Sequence, residues 1–229
     1  MTDGTSGVLD LLLSGSPDVW EPAALSLRCA ATAALLAAPV GIPLGLLAGA
    51  GPARWRRPLR AAADAGLSVP TTAIALVLYL LLSRRGWFGP MGLLFSPTAI
   101  VLGQTLVALP VLVMFTADAA AALDPRVHWT ARTLGASALR RGIWYAGEIR
   151  GSLLAGLLAA FGRAAGELGA ALLLGGNIKG ETRTLTTAIT LETARGEFER
   201  AVAMGLLLVV FALAVIVTVR LIAPRKAGG

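Results

Sequence analysis

Five long stretches of this chain are almost without charge. Residues 29–53, 65–83, 86–117 and 201–219 contain no Asp, Glu, Lys or Arg, and residues 151–176 contain only Arg163 and Glu167. A helix needs about 20 apolar residues to cross a bilayer core of about 30 Å. Each stretch is therefore long enough to span. Lipid offers no partner for an unpaired N–H or C=O, so the spans must be helical or close into a barrel. A barrel would show short alternating segments, and none is visible. The pattern predicts an all-α, polytopic transmembrane bundle of about five spanning helices, forming one domain over 1–229. Prolines and glycines interrupt it: Pro39, Gly41, Pro43 and Gly45 in the first span, Pro70 in the second, Pro110 in the third. Such breaks are tolerated where neighbouring helices re-satisfy the backbone. Gln104 in the third span is expected to face another helix.

The connecting segments carry the polar pattern. Residues 1–24 form an N-terminal segment without Lys or Arg, so the basic start of a signal peptide is missing. Val8 to Leu13 is apolar but short, and Gly15, Ser16 and Pro17 break it. This reads as an interfacial helix, or else as a sixth, irregular span. The segment 124–150 is much longer than an ordinary helix–helix connection, yet it has clear caps. Asp124-Pro125 reads as an N-cap and first helical position. Val127, Ala131, Leu134 and Ala138 form a helical apolar stripe. Gly135 suits a helix C-terminus, and Ser137 can cap a second helix. The expectation is a helix–turn–helix elbow on which another protein docks.

Charge then orients the bundle. The chain has 20 Lys and Arg against 13 Asp and Glu, a net charge of +7. Twelve of the twenty fall on one side: Arg54, Arg56, Arg57, Arg60, Arg126, Arg132, Arg140, Arg141, Arg150, Arg220, Arg225 and Lys226. Six fall on the other: Arg84, Arg85, Lys179, Arg183, Arg195 and Arg200. The positive-inside rule places the first side in the cytoplasm. The N-terminus is then outside and the C-terminus cytoplasmic. The basic balance marks topology and not nucleic-acid binding. The one cysteine, Cys29, permits no internal disulfide, and the one histidine, His128, has no metal-ligand cluster beside it.

Two places carry candidate chemistry. Arg163 and Glu167 lie one turn apart on one helix face. Charges within the membrane must face protein or water, so the pair either locks helices together or lines a translocation pathway or gate. The outer segment 176–199 holds Asn177, Thr182, Arg183 and Thr184 among glycines. It either caps the bundle or offers hydroxyls, N–H groups and a guanidinium to an oxyanion. No catalytic elbow, zinc motif or phosphate-binding loop is present in the sequence. If ATP drives transport, another chain must bind it.

At this point the residues resemble a known family. Thr130-Ala131-Arg132-Thr133-Leu134-Gly135-Ala136 resembles the cytoplasmic coupling loop of ABC importer permeases, in which a Glu-Ala-Ala sequence precedes a glycine. Here Ala131 and Gly135 match, while Trp129 and Thr130 stand at the Glu and first Ala positions. The later Ile-x-Leu-Pro of the family is replaced by Tyr145-Ala146-Gly147-Glu148. Phe161-Gly162-Arg163-Ala164, Glu167-Leu168-Gly169 and Gly175-Gly176-Asn177-Ile178 look like the molybdate/tungstate permease group. The run Thr182-Arg183-Thr184-Leu185-Thr186-Thr187-Ala188-Ile189, with Leu191-Glu192-Thr193 and Gly196-Glu197-Phe198, is similar to its tungstate-type branch.

The resemblance implies a type I permease fold in a prokaryotic cytoplasmic membrane and a transport role without catalysis in this chain. It implies no cofactor here and ATP–Mg on a partner ATPase. The implied partners are a second permease copy in a homodimer, two cytoplasmic ATPases and an extracytoplasmic tungstate-binding protein. Thr130, Ala131, Arg132, Leu134, Gly135 and Ala136 would couple to the ATPase. Arg163, Glu167, Asn177, Thr182, Arg183 and Thr184 would lie near the pathway or gate. The alternatives are the same machine carrying molybdate or sulfate, or an ATP-independent ion transporter or channel. The latter would usually carry more intramembrane acids than Glu167.

Overall fold

The computed structural model describes residues 2–222, and the described residues contain helices and no strand. The helices run in the order α1 (Thr2–Leu13), α2 (Pro17–Ala50), α3 (Ala53–Ser68), α4 (Thr71–Leu82), α5 (Pro97–Ala121), α6 (Pro125–Thr133), α7 (Ala138–Glu148), α8 (Arg150–Ala165), α9 (Gly169–Gly175), α10 (Leu185–Arg195) and α11 (Phe198–Ile222). Arg225 and Lys226, counted above with the basic side, lie outside the described residues.

Helices α2, α5 and α11 are each long and apolar enough to cross a membrane alone. Two bent pairs, α3–α4 and α8–α9, bring the number to five if each pair is one span. α2 is the longest. Pro17 starts it, and its 34 residues extend about 51 Å at 1.5 Å per residue. It begins well before the charge-free window and so carries Asp18, Glu21 and Arg28 on its first turns.

The core is built from small residues. Ala30, Ala33, Ala34 and Ala37 of α2 meet Ala108 and Leu112 of α5 and Ala160, Ala164 and Ala165 of α8. Without water between helices, close backbone approach supplies the packing energy, and small side chains permit it. Gly45 shows how tight this is: a Cβ there would run into Thr116 and the Val113 carbonyl of α5. α11 lies at the opposite extreme. Leu206, Val209, Val210, Leu213, Ile216 and Val217 point outward as a surface for lipid.

The charge-free windows and the helices do not coincide. The 65–83 window was expected as one span, but α3 and α4 meet at a 92° bend. Pro70 disfavours helical backbone in the residue before it, and Val69 is accordingly extended, at φ −66° and ψ 132°. The 86–117 window is helical only from Pro97. Before it lie a 3-10 turn at Gly89–Met91 and Phe95 at φ 61°. Ser96 then caps α5, its Oγ accepting from Ala99 N at 3.3 Å. The 151–176 window is broken by 59° around Gly166, Glu167 and Leu168. The 176–199 loop contains a whole helix, α10. The N-terminal segment forms α1, twelve residues packed beside α11, and its last residues belong to α2.

One arginine fastens the basic end. Arg60 of α3 donates from Nε to Ala48 O at 3.3 Å and from Nη2 to Ala117 O at 3.1 Å. Its Nη1 meets Asp118 Oδ1 at 2.9 Å. The bond to Ala48 O satisfies a last-turn carbonyl of α2 that the helix cannot satisfy itself, since Pro52 four residues on has no N–H.

Candidate functional site

The break between α8 and α9 is organised by Glu167. Its carboxylate is 4% exposed, and both oxygens are engaged. Oε2 accepts from Arg163 Nη1 at 2.7 Å, and Oε1 accepts from the N–H groups of Gly169 at 3.1 Å and Ala170 at 3.4 Å. The carboxylate thus caps α9 as it neutralises Arg163. The Arg163 side chain is 42% exposed. It sits about 20 Å along α8 from Arg150, and its other guanidinium donors have no partner among the described residues. The pair therefore holds the two halves of a broken helix and presents a cation at its surface.

The 176–184 segment folds back on this break. Gly176 and Asn177 take left-handed backbone, at φ 72° and 53°. Thr182 is fully buried; its Oγ1 donates to Gly175 O at 2.5 Å and accepts from Ile178 N at 3.0 Å. Arg183 Nε donates to Asn177 Oδ1 at 3.2 Å. Thr184 starts α10 through a capping box with Thr187. Thr186 Oγ1 donates to the Glu167 carbonyl at 3.2 Å, and Leu185 N to Ser26 Oγ of α2 at 2.8 Å. The hydroxyls of Thr182 and Thr184 are turned inward. The Ser26 and Thr186 bonds tie α10 to α2 and to the α8–α9 break. Glu167 is thereby brought next to Thr186, while Arg183 pairs with Asn177.

Sequence reasoning missed a cavity of about 430 Å³ between the start of α2, the 179–183 turn, α10 and the start of α11. Arg28, Arg183, Arg195 and Arg200 line it together with Glu21 and Glu192. Lys179 and Asp18 meet at its edge at 2.8 Å. Asp18, Glu21 and Arg28 fall on nearby turns of one α2 face. That spacing was a usable signal, overlooked because these residues precede the charge-free window.

The elbow lies at the other end, beside the basic end of α3. Arg126 N donates to Asp124 Oδ1 at 2.7 Å, so Asp124 starts α6 as the sequence suggests. Ser137 Oγ accepts from Arg140 N at 3.4 Å and starts α7. Gly135 has φ 64° and open space around it. Ala131 is fully buried, its carbonyl accepting from Ala136 N at 3.1 Å, and Thr130 Oγ1 donates to Arg126 O at 2.9 Å. The side chain of Arg132 lies outside the described part. Trp129, Leu134, Leu139, Ile143 and Trp144 all face outward, Trp129 at 73% and Leu139 at 75% exposed. An exposed apolar set of this size on a polar, arginine-rich elbow is the kind of surface that contacts a protein or a membrane. His128 Nδ1 lies 2.9 Å from the Tyr145 hydroxyl and joins the two elbow helices.

Residues 41–228 match the family model of the binding-protein-dependent transport system inner membrane component. The chain belongs to this family. The tungstate uptake system permease protein TupB of Peptoclostridium acidaminophilum is 34% identical over 215 residues, 94% of each chain. TupB of Campylobacter jejuni is 37% identical over 159 residues, 69% of this chain and 66% of the relative. The probable anion ABC transporter permease protein of Haloferax volcanii is 36% identical over 197 residues, covering 84% of this chain and 85% of the relative. The protein is thus an integral inner-membrane component of an ABC importer, with the type I permease fold, and a transport subunit in place of an enzyme.

Proposed function

We propose that this chain is the translocating subunit of an ATP-driven tungstate importer. Likeness along nearly the whole chain to a tungstate permease carries the choice of cargo. The geometry supports an anion path: a half-exposed guanidinium deep in a spanning helix, held by a carboxylate with both oxygens engaged. A lone cation facing lipid at that depth would cost several kcal/mol. Two copies facing one another across Arg163 would enclose a hydrated path. The elbow end is cytoplasmic and the 176–184 end extracytoplasmic, a reading that the arginine distribution supports.

Two cytoplasmic ATPases dock on the elbows through Trp129, Leu134, Ala136 and their neighbours, and ATP–Mg binds there. An extracytoplasmic binding protein delivers the oxyanion. The ATPases hold the elbows differently in their two states, and that difference in affinity shifts the dimer between inward- and outward-open forms. Thr182 and Thr184 act as positioning groups that shape the outer segment, with Asn177 and Arg183 at its mouth.

Competition decides the cargo. Proteoliposomes holding this chain, its ATPase and its binding protein are offered labelled tungstate against excess molybdate or sulfate. Persistent tungstate uptake in excess sulfate and molybdate supports the reading. Uptake abolished by excess molybdate or sulfate reassigns the cargo.

A further inference from the structure

His128 is the chain's one histidine. Its ring meets Tyr145 edge-to-face, with centroids 4.8 Å apart, and Nδ1 lies 2.9 Å from the phenolic oxygen. Tyr145 is the buried residue of α7, at 7% exposure. α7 in turn packs on α2 and α8. Among the described residues, α6 packs extensively on none of the other helices. Its ends are joined to α5 and to α7 by two short backbone turns, the second containing Gly135 in left-handed conformation. A displacement of α6 therefore reaches the spans through those turns or through the histidine–tyrosine contact. A buried phenolic hydroxyl left without a partner is costly, so this contact resists separation.

We propose that His128 and Tyr145 are a pair of positioning residues that make α6 and α7 move as one body and pass movement of the docking helix to α2 and α8. The proposal rests on the reading of the elbow as the ATPase-docking site. It assigns the pair a mechanical role in coupling, with neither residue touching cargo or nucleotide. It also accounts for why an aromatic side chain is buried where α6 meets α7.

The test uses the complete transporter and the variants Tyr145→Phe, His128→Phe, their combination and His128→Asn. Tyr145→Phe keeps the ring and removes only the hydroxyl. One net hydrogen bond corresponds to about a two- to tenfold change in an equilibrium. Oxyanion imported per ATP hydrolysed falls by about that factor in Tyr145→Phe and in His128→Phe. The double variant is no worse than either single variant, because both remove the same interaction. His128→Asn, whose amide can reach the Nδ1 position, recovers most of the ratio.

Hydrogen exchange of the full chain in nanodiscs provides a separate readout. Amides of α6 exchange about two- to tenfold faster in Tyr145→Phe, with α5 and α11 unchanged. Unchanged α6 exchange would overturn the link itself. Faster exchange with an unchanged import-to-ATP ratio would overturn its role in coupling. Absence of ATP-dependent import by the wild-type transporter would sink the importer reading and the coupling role with it, while the exchange data would still decide whether the link exists.

Discussion

Glu167 caps α9 with one oxygen and neutralises Arg163 with the other. Its removal leaves a cation unpaired and a helix start uncapped. Glu167→Ala should destabilise the protein by roughly 1–3 kcal/mol, through the lost α9 cap and charge-assisted hydrogen bonds, read as a lower detergent-unfolding midpoint. Arg163→Ala leaves the buried Glu167 carboxylate without its cation, held only by the Gly169 and Ala170 N–H groups, so it should cost roughly 3–5 kcal/mol and lower tungstate uptake. An active, stable Arg163→Ala variant would remove both roles considered for the pair. Gly135 is a different kind of residue. Its φ of 64° with no neighbour near a Cβ means that substitution strains the backbone and collides with nothing. Gly135→Val should distort the elbow at a cost of about 1–3 kcal/mol, abolishing ATPase stimulation by the loaded binding protein while membrane insertion persists. The Arg163–Glu167 pair was legible in the sequence because helical spacing of four puts both on one face. The inward turn of Thr182 and Thr184 was not. Composition reports that hydroxyls are present, but their direction depends on Gly175, Ile178 and Thr187, which only the folded segment brings together.

Helix elements were legible to different degrees for a physical reason. The elbow helices could be placed from Asp124, Pro125, Gly135 and Ser137, since capping is local chemistry. The spans could be counted but not bounded. Freedom from charge says that a segment tolerates lipid or protein interior, not that it is one helix. Pro70 and the Glu167 cap redirect the backbone within such segments. Helix contacts follow small residues, and this gives a matched test. Gly45→Ala forces a methyl into Thr116 and the Val113 carbonyl, and should cost about 1–3 kcal/mol by overpacking. Gly205→Ala meets open space, and should be neutral or stabilising by about 1 kcal/mol through helix propensity. Thermal unfolding of the two variants in one detergent compares them. Equal destabilisation would contradict the close α2–α5 approach.

At the scale of the whole molecule, the arginines of α3, α6 and α7 gather at one end, and the mixed-charge cavity opens at the other. The proposed orientation rests on this sorting and can be checked in intact cells. With Cys29→Ala as background, Glu181→Cys should react with a membrane-impermeant thiol reagent, and Arg57→Cys should react only after permeabilisation. The reverse pattern would invert the topology. Each bent span, the polar break and the apolar elbow acquire a common purpose only if nucleotide energy supplied at one end opens a path at the other. The most direct measurement is tungstate uptake into proteoliposomes containing this chain and its binding protein, with and without the partner ATPase and ATP. The account predicts accumulation against a gradient that requires both ATPase and ATP. Equal uptake without them would contradict it and make the chain a self-sufficient transporter or channel.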